Sequence, residues 1–196
     1  MKSFEATLPA GYREVFTIDA ADKKIGLRLN IVAAIVMAAI IAPAWLIIRP
    51  GKFDPSRFSS VLLTLAAMAF YMVLHELTHG AAYKLLTRQK LKFGVTLTVA
   101  YCGVPDIYVY RRTALISLLA PFVVFTLLFG GLTLGLRDPW SKLLCAILLG
   151  IHVGGCAGDL YDTWLFLARF RDPRTLMRDT GPKQTFYAPE TEHAQS

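Results

Sequence analysis

Two long stretches of the chain contain no charged residue, and this feature constrains the fold more than any other. Residues 29–48 and 113–136 carry neither an acidic nor a basic side chain. A helix needs about 20 apolar residues to cross the hydrocarbon core of a bilayer. The chain is also 55% hydrophobic and only 18% charged, whereas soluble proteins are about 25% charged. These observations predict an integral membrane protein embedded in a lipid bilayer.

Two further apolar runs extend this pattern, although both contain ionisable groups. We predict an all-α polytopic membrane protein with one domain, residues 29–168, between an N-terminal segment, 1–28, and a polar tail, 169–196, of little regular structure. The predicted transmembrane helices cover residues 29–48, 58–86, 113–136 and 143–168. Between the second and third, the alternation and the β-branched content of residues 91–100 and 107–110 predict a short hairpin at the cytoplasmic face.

The distribution of basic residues predicts the orientation of the four spans. Residues 1–28, residues 87–112 and the tail carry five Lys or Arg each, whereas linkers 49–57 and 137–142 carry three and two. Basic loops favour the cytoplasm, so both termini and the predicted hairpin are expected there. The net charge of +7 then belongs to cytoplasmic loops. Without a basic-aromatic motif, we predict no nucleic-acid partner.

The second predicted span contains the sequence HELTH, which carries the chemistry. His75 and His79 stand four residues apart, so a helix places both imidazoles on one face, where they can bind one zinc ion. Glu76 then lies beside the metal as the catalytic base for a zinc-bound water. Ionisable side chains are costly within an apolar span and usually mark a functional site. The motif therefore predicts a zinc-dependent hydrolase.

The third zinc ligand must come from elsewhere in the chain. Ala82 and Leu85 occupy the positions that a metzincin pattern would fill with glycine and histidine. After Glu76 the only glutamates are Glu190 and Glu192 in the tail, which disfavours a glutamate ligand. The remaining candidates are Asp106, Asp138, His152, Asp159, Asp162, Asp172, Asp179 and His193.

Depth in the bilayer distinguishes these candidates. His75 lies about 15 residues from the outer end of the second span, and Asp159 lies about 17 residues from the outer end of the fourth. At the rise of a helix, both are therefore roughly 22 to 26 Å from the outer surface. We therefore predict Asp159 as the third ligand, with Asp162, His152 and Asp106 as alternatives. His152 lies two turns further outward and is the second predicted catalytic residue, as a hydrogen-bond donor to the site or an oxyanion stabiliser.

At these residues the chain resembles the site-2 class of intramembrane metalloproteases. It resembles more closely a group of short bacterial membrane proteins described as putative zincin peptidases. The likeness rests on HELTH, on the later element GDLYD, on the β-like segment between them, and on LPAGYREVF and MRDTGPKQTFY near the ends. The asparagine-proline element of site-2 proteases has no counterpart, because the equivalent stretch reads HVGGCAGD.

The resemblance implies a function and a location. It implies cleavage of peptide bonds in membrane proteins or membrane-proximal peptides, Asp159 as the ligand from a later helix, and the bacterial cytoplasmic membrane as the location. An alternative interpretation of buried His and Asp is a non-catalytic metal-binding or metal-transport protein. Glu76 distinguishes the two, since a carrier needs ligands but no proton-accepting carboxylate.

Overall fold

The computed structural model describes residues 2–20, 22–52, 54–95 and 100–190. Part of the strand expected over residues 91–100 lies outside these ranges, as do Glu192 and His193.

Five α-helices contain most of the residues that the structure describes. They are α1 (Lys23–Ile48), α2 (Phe58–Thr87), α3 (Arg111–Gly135), α4 (Pro139–Gly155) and α5 (Ala157–Ala168). Within the described residues, α1, α2 and α3 are each long and apolar enough to cross a membrane. Helices α4 and α5 pass the same test only together, as a pair bent by 48°. The count of three or four such helices agrees with the expected number of spans.

The bend between α4 and α5 is a difference from the single helix expected over 143–168. The break falls at Cys156, directly after Gly154 and Gly155. Glycine is a poor helix former, by about 1 kcal/mol relative to alanine. Gly154 also packs against α1, where an added Cβ would lie 2.7 Å from the carbonyl oxygen of Ala33. The local sequence therefore brings α4 close to α1 and allows α5 to change direction.

A five-stranded antiparallel sheet corrects the all-α prediction. Its strands, in spatial order, are β1 (Phe4–Glu5), β5 (Tyr108–Tyr110), β6 (Leu176–Asp179), β7 (Lys183–Pro189) and β2 (Tyr12–Asp19). The tail therefore contains two strands, and the expectation of little regular structure there was wrong. The chain is mostly helical with a small sheet, to which the N-terminal segment, residues 108–110 and the tail all contribute.

The hairpin between α2 and α3 also differs in its pairing from the expected one. Strand β3 (Lys92–Val95) pairs with β4 (Ala100–Gly103), with Phe93 opposite Cys102. The segment 107–110, expected as the second strand, contains β5 and joins the larger sheet instead. Gly103 explains how the two sheets meet, because its Cα approaches the turn between β6 and β7, with Gly181 N only 2.6 Å from an added Cβ. The tail is thereby held against the hairpin.

Candidate metal centre

His75, His79 and Asp159 converge at one point between α2 and α5. The Nε2 atoms of the two histidines are 3.2 Å apart. Oδ2 of Asp159 lies 3.5 Å from Nε2 of His75 and 3.4 Å from Nε2 of His79. The i,i+4 spacing on α2 aligns the imidazoles, and the bend at Cys156 places Asp159 in the first turn of α5. Three donor atoms from two helices therefore form a nearly equilateral triangle.

The dimensions of this triangle match a tetrahedral zinc ion. Zinc binds His nitrogen at about 2.0 to 2.1 Å and carboxylate oxygen at about 2.0 to 2.2 Å, which places tetrahedral donors about 3.3 to 3.5 Å apart. The observed separations of 3.4 and 3.5 Å fall in this range, and the third, 3.2 Å, lies just below it. Two histidines and one carboxylate are also a donor set that zinc favours, and three protein ligands leave a fourth position for water or substrate.

The other nitrogen of each histidine is hydrogen-bonded. Nδ1 of His79 lies 2.8 Å from the carbonyl oxygen of Ser117 on α3, an acceptor that requires Nδ1 to carry the proton. Nδ1 of His75 lies 3.0 Å from the hydroxyl of Tyr71. Such contacts fix the ring orientation and the tautomer that leaves Nε2 free to bind a metal. Both Nε2 atoms therefore present a lone pair to the same point.

Tyr71 connects His75 to His152 through a continuous chain of hydrogen bonds. The Tyr71 hydroxyl lies 2.7 Å from Nδ1 of His152, and Nε2 of His152 lies 3.2 Å from the carbonyl oxygen of Phe122. Because that carbonyl accepts, His152 carries its proton on Nε2 and accepts at Nδ1 from Tyr71. Tyr71 can then accept from Nδ1 of His75. The geometry gives one consistent proton arrangement along the whole chain.

His152, predicted as a catalytic residue, lies behind His75. Its side chain is fully buried and it is absent from the lining of the cavity in front of the triangle. It contacts His75 through Tyr71, a residue that the sequence analysis did not identify. His152 also forms a group with His75 and Cys156 whose donor atoms lie within 4.8 Å of one another. The Tyr71 hydroxyl bonds both imidazoles of that group, so a metal there would have to displace it.

Glu76 and the three residues of the triangle line one cavity. This cavity has a volume of about 150 Å³. The Glu76 carboxylate lies beside the backbone N–H of Cys102 on β4. Gly80, one turn after Glu76, makes this approach possible, because an added Cβ would lie 2.8 Å from the Phe93 ring. The glycine after HELTH thus allows the hairpin to pack directly on the motif helix.

The tail closes the cavity on the side opposite the helices. Asp179, Gly181 and Gln184 all line it. Asp179 is buried and accepts hydrogen bonds from the hydroxyl of Tyr83 at 2.8 Å and from Gly181 N at 2.9 Å. Burial raises the pKa of Asp179 to about 6. Asp179 belongs to the tail that follows the last predicted span, and nothing in the local sequence indicates that this tail turns back towards the metal centre.

The alternative ligands occupy different surroundings. Asp162 lines the cavity one turn after Asp159 and is 4% exposed, and its Oδ1 has no hydrogen-bond partner among the described residues. Asp106 is exposed in the turn before β5 and does not line the cavity. Cys102 also lines the cavity, but burial raises the pKa of its thiol to about 12. A protonated thiol is a poor nucleophile and a poor metal ligand.

Comparison with known proteins identifies the family. A family model described as "putative zincin peptidase" matches residues 68–172, a range that contains His75, Glu76, His79 and Asp159. No curated protein and no solved structure matches the chain. The match spans more than half of the chain, and the family is one of zinc metallopeptidases. The chain therefore belongs to the putative zincin peptidase family.

Proposed function

We propose that the protein is a zinc-dependent endopeptidase that works inside the membrane and hydrolyses peptide bonds of membrane or membrane-proximal substrates. The observation that carries the proposal is that the triangle of His75, His79 and Asp159 shares one cavity with a further carboxylate, that of Glu76. Binding of a metal requires only the triangle. Hydrolysis also requires a carboxylate beside an open coordination position, where it can accept the proton of the attacking water.

The chain's own residues divide the reaction between them. Zinc held by the triangle would supply Lewis acidity, which lowers the pKa of water to about 7 and polarises a carbonyl. Glu76 accepts the proton of the attacking water and delivers it to the amide nitrogen that leaves, so the water is divided between the two products. The Glu76 carboxylate lies beside the N–H of Cys102, and both residues line the cavity. Tyr71 and Ser117 keep the two imidazoles in the metal-binding tautomer.

A location in the bilayer is supported by the surfaces of the helices. No residue of α1 is buried, and its exposed side chains include Leu46 at 69% and Ile47 at 80%. So much apolar surface is expected to face lipid. The basic segments favour cytoplasmic termini, in a bacterial cytoplasmic membrane as the family resemblance implies. His75 and His79 are buried although their helix is exposed elsewhere, as expected for ionisable groups that face a bundle interior.

The substrate would lie against the hairpin. Ala100, Tyr101 and Cys102 of β4 line the cavity beside Glu76. A transmembrane helix hides its peptide bonds, so a substrate must unwind before it can be cleaved, and unwound backbone needs partners other than lipid. An extended segment of a membrane protein or peptide would form these backbone hydrogen bonds with strand β4.

Elemental analysis of the detergent-purified protein tests the proposal. We expect about one zinc per wild-type chain and less than a tenth of that in His75→Ala, because removal of one of three ligands leaves two donors. His193→Ala is the matched control and should retain zinc. A wild-type protein without zinc, or equal zinc in both histidine variants, would contradict the proposal. Zinc together with hydrolysis of a membrane substrate would exclude a metal carrier.

Tyr71→Phe is expected to weaken zinc binding without removing any ligand. The variant deletes the hydroxyl that bonds Nδ1 of His75, and such supporting contacts are worth about ten- to hundredfold in metal affinity. Competition with a zinc-binding dye measures the dissociation constant. Tyr187→Phe, which removes a hydroxyl from strand β7 instead, should leave zinc affinity unchanged. Equal affinity of both variants and the wild type would show that the Tyr71 contact does not support the metal site.

A further inference from the structure

A second cavity, of about 850 Å³, lies at the basic end of the helices, away from the metal centre. It is formed where α2 ends and α3 begins, with walls from the N-terminal segment and from the loop before β6. Lys2, Arg111, Arg112 and Arg174 all line it. None of its lining residues that the structure describes is Asp or Glu. The cavity therefore presents positive charge on several sides.

Two of these cations have acidic partners, whereas the guanidinium of Arg111 bonds a neutral group. Lys2 bonds Glu5 at 2.7 Å, and Arg174 bonds Asp172 at 2.9 Å. Nε of Arg111 donates to the carbonyl oxygen of Phe166 at 3.0 Å, a neutral acceptor that orients the guanidinium without cancelling its charge. The N-cap residue of α3 makes no side-chain hydrogen bond to the first turn, so the positive end of the helix dipole adds to the same field.

The cavity changes from charged to apolar along α3. Leu115 and Ile116 follow Arg111 and Arg112 by four residues each, so they lie on the same face about 6 Å further along the helix. Leu86 of α2 also lines the cavity. Leu86 and Leu115 are half-buried, whereas Ile116 is 42% exposed. Cations at one end of the α3 face and accessible aliphatic side chains further along it match a phosphate group joined to an acyl chain.

We propose that this cavity binds an anionic phospholipid, with its phosphate at Arg111, Arg112 and Arg174 and an acyl chain along Leu115 and Ile116. Under the orientation proposed above, this end of the helices faces the cytoplasmic leaflet, where anionic lipids attract basic residues. The lipid would bridge the N-terminal segment, α3 and the tail. Because Lys2 and Arg174 belong to segments that flank the five-stranded sheet, a bound lipid would hold that sheet against the membrane surface.

Lipid titration of the full-length, detergent-purified chain tests the proposal by native mass spectrometry. We expect phosphatidylglycerol to bind and phosphatidylcholine to bind at least tenfold more weakly. The double variant Arg112→Gln/Arg174→Gln should lower the affinity for phosphatidylglycerol by about thirtyfold, since each basic residue near the surface contributes about fivefold. Arg112→Lys/Arg174→Lys keeps the charge and should retain most of the affinity. Arg137→Gln/Lys142→Gln removes equal charge beyond the other end of α3 and should change nothing.

Three results would overturn the proposal. They are equal binding of the two lipids, equal loss in the two glutamine double variants, and displacement of phosphatidylglycerol by millimolar inorganic phosphate, which would identify a site for free anions. Circular dichroism and zinc content of each variant report whether it is folded. These measurements do not depend on proteolysis, so the lipid site and the peptidase function can fail separately.

Discussion

Replacing Glu76 by glutamine is expected to abolish hydrolysis while zinc stays bound. Glutamine keeps the size of the side chain and can still contact the hairpin, but its amide cannot accept the proton of the attacking water. General-base catalysis is worth about a hundred- to ten-thousandfold, so we expect the rate to fall by about a thousandfold. The measurement pairs the initial rate of cleavage of a membrane-inserted peptide library with zinc content of the same preparation.

Two outcomes would contradict this role of Glu76. Loss of zinc from Glu76→Gln would indicate that the residue is a ligand rather than a base. Unchanged hydrolysis would place the base elsewhere, and Asp162 and Asp179 are the other cavity carboxylates that could then be tested. Glu190→Gln removes a glutamate from the end of the tail and should behave as the wild type.

Replacing Asp159 by alanine is expected to remove zinc, whereas Asp162→Asn should retain it. Both aspartates line the cavity from α5, one turn apart. Only Asp159 lies within 3.5 Å of both Nε2 atoms, which is the separation that a shared tetrahedral ion requires. We expect the zinc affinity of Asp159→Ala to fall by more than a hundredfold. Competition with a zinc-binding dye under identical detergent conditions gives both dissociation constants.

The paired variants also discriminate between the two aspartates if the result is reversed. Zinc retained in Asp159→Ala and lost from Asp162→Asn would assign the third ligand to Asp162. If both variants lose zinc, thermal unfolding with an excess of zinc shows whether each variant is still folded. A folded variant without zinc lacks a ligand, whereas an unfolded variant says nothing about the ligand. A folded Asp162→Asn without zinc would contradict our assignment.

The positions of the helices and of the HELTH pair follow from local sequence. Uncharged runs of about 20 residues leave few alternatives to a long apolar helix, and the i,i+4 spacing places His75 and His79 on one face. The approach of Asp159 follows from matching its depth to that of the histidine pair. Each of these inferences needs only the rise of a helix and the charge of its residues.

The parts that the sequence did not predict depend on contacts between distant segments. Tyr71 sits one turn before His75 in an ordinary apolar pattern, and only the packing of α4 brings His152 to its hydroxyl. Asp179 joins the cavity because β6 pairs with β5 and β7, and local alternation does not specify a strand's partner. Gly154 and Gly155 are the one feature of the local sequence that indicates a helix break near Cys156. Small residues in a membrane span also allow close helix packing without a break, so these glycines alone did not specify the bend.

The sheet that joins the N-terminal segment to the tail has a consequence for biosynthesis. Strand β2 pairs along its length with β7, which is the last strand of the described chain to leave the ribosome. Asp179 and Gln184, which line the cavity, are translated at the same late stage. If the proposed function is correct, the helices would enter the bilayer with His75, His79 and Asp159 already translated, yet the cavity around them would stay incomplete until synthesis has passed β7. A nascent chain would then expose the proposed metal centre to competing metals and to bulk water before the tail has folded against it.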